Sequence, residues 1–153
     1  MKIMDILVKD ALVLNLASKQ KADVLAEMAR ALAAAEAGID ADALLDVLEE
    51  RESLQSTGIG EGVAIPHGKL PGLHRLIASF ARSREGVDFE SIDGQPTHLF
   101  FLLVVPEHSG GQHLKALARI SRFFRDAAFR TRLQEAETAE DVHRAIEEED
   151  AKF

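Results

Sequence analysis

The run "HLFFLLVVPE" (98–107) constrains the fold more than any other stretch of the chain. From Leu99 to Val105 every residue is apolar, with no polar position left to face water. A strand with that pattern is covered on both faces, so the sheet holding it has helices above and below. The run is too short to cross a bilayer, which takes about 20 apolar residues in a helix. "LIASFAR" (76–82) and "ALVLNL" (11–16) read as further strands, and "DGQP" (93–96) as the turn ahead of the apolar run.

The covering helices have their own periodicity. In "SKQKADVLAEMARALAAAEA" (18–37), Val24, Leu25, Met28 and Leu32 recur at helical spacing, with Ser18 as the expected cap and Gly38 as the stop. "DADALLDVLEERESL" repeats the logic, with Asp40 or Asp42 as cap and Leu44, Val47 and Leu48 on one face. Leu114, Leu117, Ile120 and Phe124 mark a helix from Gly111 onward, with Ser109 as its cap. Short helices are expected over 127–136 and 138–148, and the acidic "EEED" near the end as a solvated terminus. The expected fold class is α/β: a single-domain sandwich over 1–153, core about 5–148, with a mixed β-sheet flanked by helices on both faces.

Composition narrows the function. The formal net charge is −8, there is no Trp or Tyr, and no dense basic run occurs, which disfavours nucleic acid or an anionic membrane as the main partner. With no cysteine there is no disulfide, thiol nucleophile or thiolate metal site. The N-terminal "MKIMDILVKD" interrupts its apolar residues with charges, a poor signal-peptide pattern, so a soluble cytoplasmic protein is expected.

Chemistry concentrates in "STGIGEGVAIPHGKL" (56–70). A dinucleotide fingerprint needs its glycines between a strand and a following helix, whereas here a helix precedes them and "VAIP" follows. A P-loop fails too: five residues rather than four separate Gly62 from "GK", and Leu70 stands where a hydroxyl must hold magnesium. Among the six histidines, His108 and His113 are five apart and His67 and His74 seven apart. Neither is the i, i+4 spacing of paired ligands on a helix, so no metal and no cofactor is expected.

There remains His67 between Pro66 and Gly68. Proline stiffens the approach, and glycine leaves the imidazole open to a large partner group. A neutral imidazole is nucleophilic near pH 7, so a phosphoryl group can be accepted there if donors surround its oxygens. Ser56 and Thr57 offer hydroxyls and the glycines offer N–H groups. On these residues alone, a turn histidine beside a strand remains the competing reading.

"TGIGEGVAIPHGK" closely resembles the active-site signature of the enzyme IIA proteins of the fructose/mannitol class in the bacterial phosphoenolpyruvate-dependent phosphotransferase system. "LVLNLASKQKADVLAEMARAL", "RESLQSTGIG", "DGQPTHLFFLLVVPE" and "HLKALARIS" have counterparts in the same order, so the resemblance covers nearly the whole chain. Within the class the chain is most similar to the free-standing, nitrogen-related enzyme IIA, on "HGKL" and the lack of an attached transporter domain.

The resemblance implies that His67 is the phosphorylated histidine, Arg51 the active-site arginine and His113 the second active-site histidine. A guanidinium holds two phosphate oxygens at once; the competing reading of Arg51 is a cation near a helix C-terminus. His113 would lie in the first turn of a helix, where free N–H groups favour an anion, or would simply start a core face. No role carries to Lys115. Ser56, Thr57, Glu61 and Gly68 are secondary, and His74, His98, His108 and His143 match no motif. The implied function is a regulatory phosphocarrier, charged by a histidine-containing phosphocarrier protein that an enzyme I loads from phosphoenolpyruvate. Its implied targets include potassium-transport and signalling proteins. The alternative is a sugar-specific enzyme IIA passing phosphate to an enzyme IIB. A plain interaction module is disfavoured by the intact "IPHGK".

Overall fold

The computed structural model describes residues 1–153. Its elements are α1 (Lys21–Ala35), α2 (Ala41–Leu54), β1 (Gly58–Gly60), β2 (Val63–Ala64), β3 (His67–Leu70), β4 (Ile77–Val87), β5 (Thr97–Pro106), α3 (Gln112–Arg125), α4 (Ala127–Glu135) and α5 (Ala139–Lys152). Strand β5 is the axis. β4 runs antiparallel along one of its edges. Along the other lie β2 and β3, both parallel to it, at Leu99–Phe100 and at Leu103–Pro106.

The apolar run divides its side chains as a strand must. Leu99, Phe101, Leu103 and Val105 enter a core shared with Ile120, Phe124, Leu133 and Ile146, from α3, α4 and α5. Phe100, Leu102 and Val104 enter the opposite core with Val24, Met28, Leu32 and Leu44, from α1 and α2. The sheet is therefore mixed and helix-covered on both faces, as the apolar run requires. None of the helices is long and apolar enough to cross a membrane.

Several local expectations are corrected. The stretch 11–16 is not a strand: a 3-10 turn occupies Lys9–Ala11, and only Val13 makes an isolated bridge, to Ala81 of β4. Arg82 Nε donates to the Leu14 carbonyl (3.1 Å) and Nη2 to the Asn15 amide oxygen (3.3 Å), so the chain bulges around that side chain before the Leu16 N–H rejoins β4 at the Arg82 carbonyl (2.8 Å). Ser18 does not cap α1, which starts after Gln20; its hydroxyl instead donates to Glu27 at 2.7 Å. Ser109 does not cap α3 either, since Gly111 holds the cap position and Ser109 pairs with His113. Asp40 does cap α2, accepting from the Asp42 N–H.

The acidic terminus is not merely solvated. Asp150, on α5, is 6% exposed. Its carboxylate accepts the N–H groups of Ile3 (2.9 Å) and Met4 (3.0 Å) and pairs with Arg119 (2.9 Å). The free N–H groups of a 3-10 turn at Ile3–Asp5 need an acceptor, and the last turn of α5 provides it. Packing thus also takes in Ile3 and Asp150, just outside 5–148.

Candidate functional site

The glycine-rich stretch folds into three short strands rather than one loop. β1 and β2 pair antiparallel through a turn in which Gly60, Glu61 and Gly62 all have positive φ (91°, 57° and 74°). Glycine adopts that conformation freely, which accounts for two of the motif's residues without a ligand. Glu61, the side-chain-bearing residue of the three, faces solvent and lies 3.7 Å from Arg130.

Between β2 and β3 the chain breaks from the ladder at Ile65–Pro66. Pro66 has no N–H to donate, yet its carbonyl still accepts the Leu103 N–H at 2.9 Å. His67 then opens β3, opposite Leu103. Its Nδ1 lies 2.8 Å from the Ile65 carbonyl oxygen. A carbonyl only accepts, so Nδ1 carries the proton and Nε2 keeps the lone pair. Burial lowers the pKa of His67 below 6.5, and the charge of Arg51 and His113 pushes the same way. The Ile65 hydrogen bond and Glu52 oppose that shift without reversing it. The ring is held neutral at pH 7, oriented, and nucleophilic at Nε2.

His67 borders a cavity of about 440 Å³ with Arg51 and His113 also on its wall. The structure therefore brings together the three residues that the resemblance singled out. Arg51 sits in the last turn of α2, where Nη1 donates to the Gln55 carbonyl at 2.8 Å. That bond satisfies one of the helix's terminal carbonyls and fixes the guanidinium at the cavity edge. His113 stands in the first turn of α3, with Nδ1 3.0 Å from Ser109 Oγ and 3.1 Å from the Gly110 carbonyl. Its Nε2 is the ring nitrogen left without a protein partner. Leu54 and Leu114, 79% and 63% exposed, give the cavity an apolar rim.

Ser56, Thr57 and Gly68 have other structural duties. Ser56 Oγ donates to the Phe89 carbonyl (3.2 Å) and accepts the Gly58 N–H (3.1 Å). Thr57 is 4% exposed, and its hydroxyl bonds Glu52. Neither borders the cavity. Gly68 does, and its missing side chain also makes room for α2: a Cβ there would stand 2.4 Å from Val47 Cγ1.

The sequence pattern does not single out Glu52, although it organises this corner. Its buried carboxylate accepts the Thr57 N–H (3.0 Å) and pairs with Lys21 Nζ of α1 at 2.7 Å. One side chain thereby ties α1, α2 and the start of the hairpin together, directly beside Arg51. An acid in the last turn of a helix, just before a hydroxyl-bearing segment, is the only signal it leaves. His98 packs against Ser83, whose carbonyl lies 3.0 Å from its Nδ1, while His74 and His108 are exposed. Burial lowers the pKa of His143, and Lys9 adds to the shift.

Comparison with known proteins places the chain in a family. The nitrogen regulatory protein of Bradyrhizobium diazoefficiens is 43% identical over 146 residues, covering 95% of both chains. The fructose-specific EIIABC component of Bacillus subtilis is 41% identical over 150 residues, which are 98% of this chain and 24% of that one. Among solved structures, nitrogen regulatory protein IIA-Ntr from Neisseria meningitidis superposes with a TM-score of 0.87 at 34% identity, over 94% of this chain and 98% of that one. A family model described as phosphoenolpyruvate-dependent sugar phosphotransferase system, EIIA 2, matches residues 5–149. On fold, sequence and matched length alike, the chain belongs to the EIIA 2 family of the phosphoenolpyruvate-dependent phosphotransferase system.

Proposed function

We propose that this chain is a phosphohistidine carrier that accepts a phosphoryl group on Nε2 of His67. The observation carrying this reading is the Ile65 hydrogen bond, which leaves a neutral imidazole with one free nitrogen on the wall of an open cavity. The donor is a cytoplasmic histidine-containing phosphocarrier protein bearing a phosphohistidine. The Nε2 lone pair attacks phosphorus as the donor's P–N bond breaks, and that electron pair returns to the donor's imidazole. Little covalent work is left to the acceptor beyond placement and charge stabilisation. Arg51 neutralises two of the phosphoryl oxygens in flight, and His113 donates to a third from Nε2 in the tautomer whose Nδ1 accepts the Ser109 hydroxyl proton. The proton on Nδ1 of His67 stays with Ile65, which stabilises the cationic ring formed on transfer.

The downstream role is regulatory: the two phosphorylation states bind cytoplasmic targets differently, potassium-transport and signalling proteins being the expected kind. Full-length similarity to a nitrogen regulatory protein favours this over the alternative, delivery of phosphate to an enzyme IIB for sugar uptake. Similarity to one segment of a fructose-specific component keeps that alternative in play. Incubation with phosphoenolpyruvate, enzyme I and the phosphocarrier is expected to add one phosphoryl group, absent from His67→Ala. Labelling of that variant to the native extent overturns the reading. Phosphate passed on to an enzyme IIB at a rate matching sugar uptake favours the alternative.

A further inference from the structure

A second polar cavity lies at the other end of β5 from His67. It measures about 200 Å³ and is lined by Arg82, Ser83, Arg84, His98 and Gln134, with no apolar side chain. The lining and size do not suit a bulky apolar ligand, whose pockets are larger and mostly hydrophobic. Arg82 pairs across the sheet with Leu99, and His67 with Leu103. Four residues of strand, about 13 Å, separate those two levels.

The charge balance here is unusual. Arg82 is 1% exposed, yet all five of its hydrogen bonds run to neutral oxygens. Three are the carbonyls of Leu133, Gln134 and Ala136 at the C-terminal end of α4, which carry partial negative charge. Asn15 Oδ1 accepts from Arg82 Nη2 at 3.3 Å and from Arg84 Nε at 3.3 Å. Two guanidinium groups thus converge on one amide oxygen, the place a carboxylate would ordinarily take. The chain has 26 acidic residues against 18 basic ones, but neither arginine forms a salt bridge. Burial lowers the pKa of Arg82, and the like charge of Arg84 adds to the shift.

Donors remain free. The Nη groups of Arg84 have no protein partner. Ser83 Oγ accepts the Gly86 N–H at 3.0 Å and keeps its own O–H to give. We propose that this cavity binds a small oxyanion, a carboxylate or phosphate group held by the forked guanidinium of Arg84 and the Ser83 hydroxyl, above the buried charge of Arg82. The planar fork of Arg84 suits two oxygens of one such group. This inference does not rest on the phosphoryl-acceptor role of His67, whose cavity is separate.

The test is an NMR titration of the full chain with inorganic phosphate, and separately with citrate, each against chloride at matched ionic strength. Arginine Nε–H and histidine ring signals are followed in native protein, Arg84→Gln and His67→Ala. The expected result is a saturable shift of Arg84 and His98 with at least one of the two anions, weakened about tenfold or more in Arg84→Gln and unchanged in His67→Ala. Which anion saturates first distinguishes phosphate from carboxylate. Shifts that chloride reproduces, that do not saturate, or that Arg84→Gln leaves intact overturn the proposal.

Discussion

His67 and the carbonyl of Ile65, two residues upstream, are joined by a contact of 2.8 Å that the local backbone makes possible. The Pro66 carbonyl faces β5 and accepts the Leu103 N–H, so by strand alternation the Ile65 carbonyl faces away from β5, where it meets the ring. Pro66, with no N–H of its own, joins the two carbonyls at the bend between β2 and β3.

The lowered pKa of His67 has a consequence for stability. Between its folded value and the ordinary 6.5, the unfolded chain binds a proton that the folded chain does not. Any such penalty is absent above about pH 6.5 and grows as pH falls from the unfolded value toward the folded one. His143, also lowered by burial, adds to it with the same sign. Denaturant unfolding of His67→Gln is expected to lose less stability between pH 8 and pH 5 than the native protein. Identical losses would mean that His67 is not held neutral by the fold.

Arg51→Lys is expected to slow phosphoryl transfer while leaving the fold unchanged. The ammonium keeps the charge but not the two-pronged contact, and it loses the anchoring bond to Gln55. A charged hydrogen bond is worth about 1.5–3 kcal/mol, so the rate is expected to fall about ten- to a hundredfold. Rapid-quench transfer from a phosphorylated carrier measures this, and native rates in the variant would remove Arg51 from the site.

Gly68→Ala forces a methyl group onto Val47 Cγ1, a stiff β-branched side chain on α2. Overpacking of this kind costs about 1–3 kcal/mol. Combining it with Val47→Ala is expected to recover most of the loss, giving a coupling of about 1 kcal/mol or more in a double-mutant cycle. Additive effects would show that Gly68 is required for some reason other than the approach of α2.

Asp150→Ala leaves the Ile3 and Met4 N–H groups without their acceptor and Arg119 without its carboxylate, with only the Asp150 backbone carbonyl remaining to it. Stability is expected to fall by about 3–5 kcal/mol, as when one partner of a buried pair is removed. Hydrogen exchange is expected to quicken first at the N-terminal turn. A loss below about 0.5 kcal/mol would return the acidic terminus to the solvated role that its composition suggests.

The layers were legible because they rest on long patterns. The apolar run of β5 and the helical stripes of α1 and α2 each span several turns or pleats, and the buried residues are those the spacing marks. What escaped was short or distant. β1 and β2 span three and two residues, too few for alternation to register. The hydroxyls of Ser18 and Ser109 match a cap on paper, but Glu27 and His113 engage them. Asp150 finds its partner 147 residues away, which no local window contains. His67, Arg51 and His113, which the resemblance implies, do border one cavity. Glu52 leaves no such sign in the sequence, because its work is to hold Thr57 and Lys21 rather than to face the cavity.

In the proposed transfer, one nitrogen of one histidine accepts the phosphoryl group because the Ile65 carbonyl holds the other. The most direct measurement is nitrogen-15 and phosphorus NMR of the protein after incubation with phosphoenolpyruvate, enzyme I and the phosphocarrier. The expected product is a single phosphohistidine at His67, bonded through Nε2, with the Nδ1 proton still hydrogen-bonded. A phosphate on Nδ1 of His67, or on His113 in protein whose His67 stays unmodified, would contradict it.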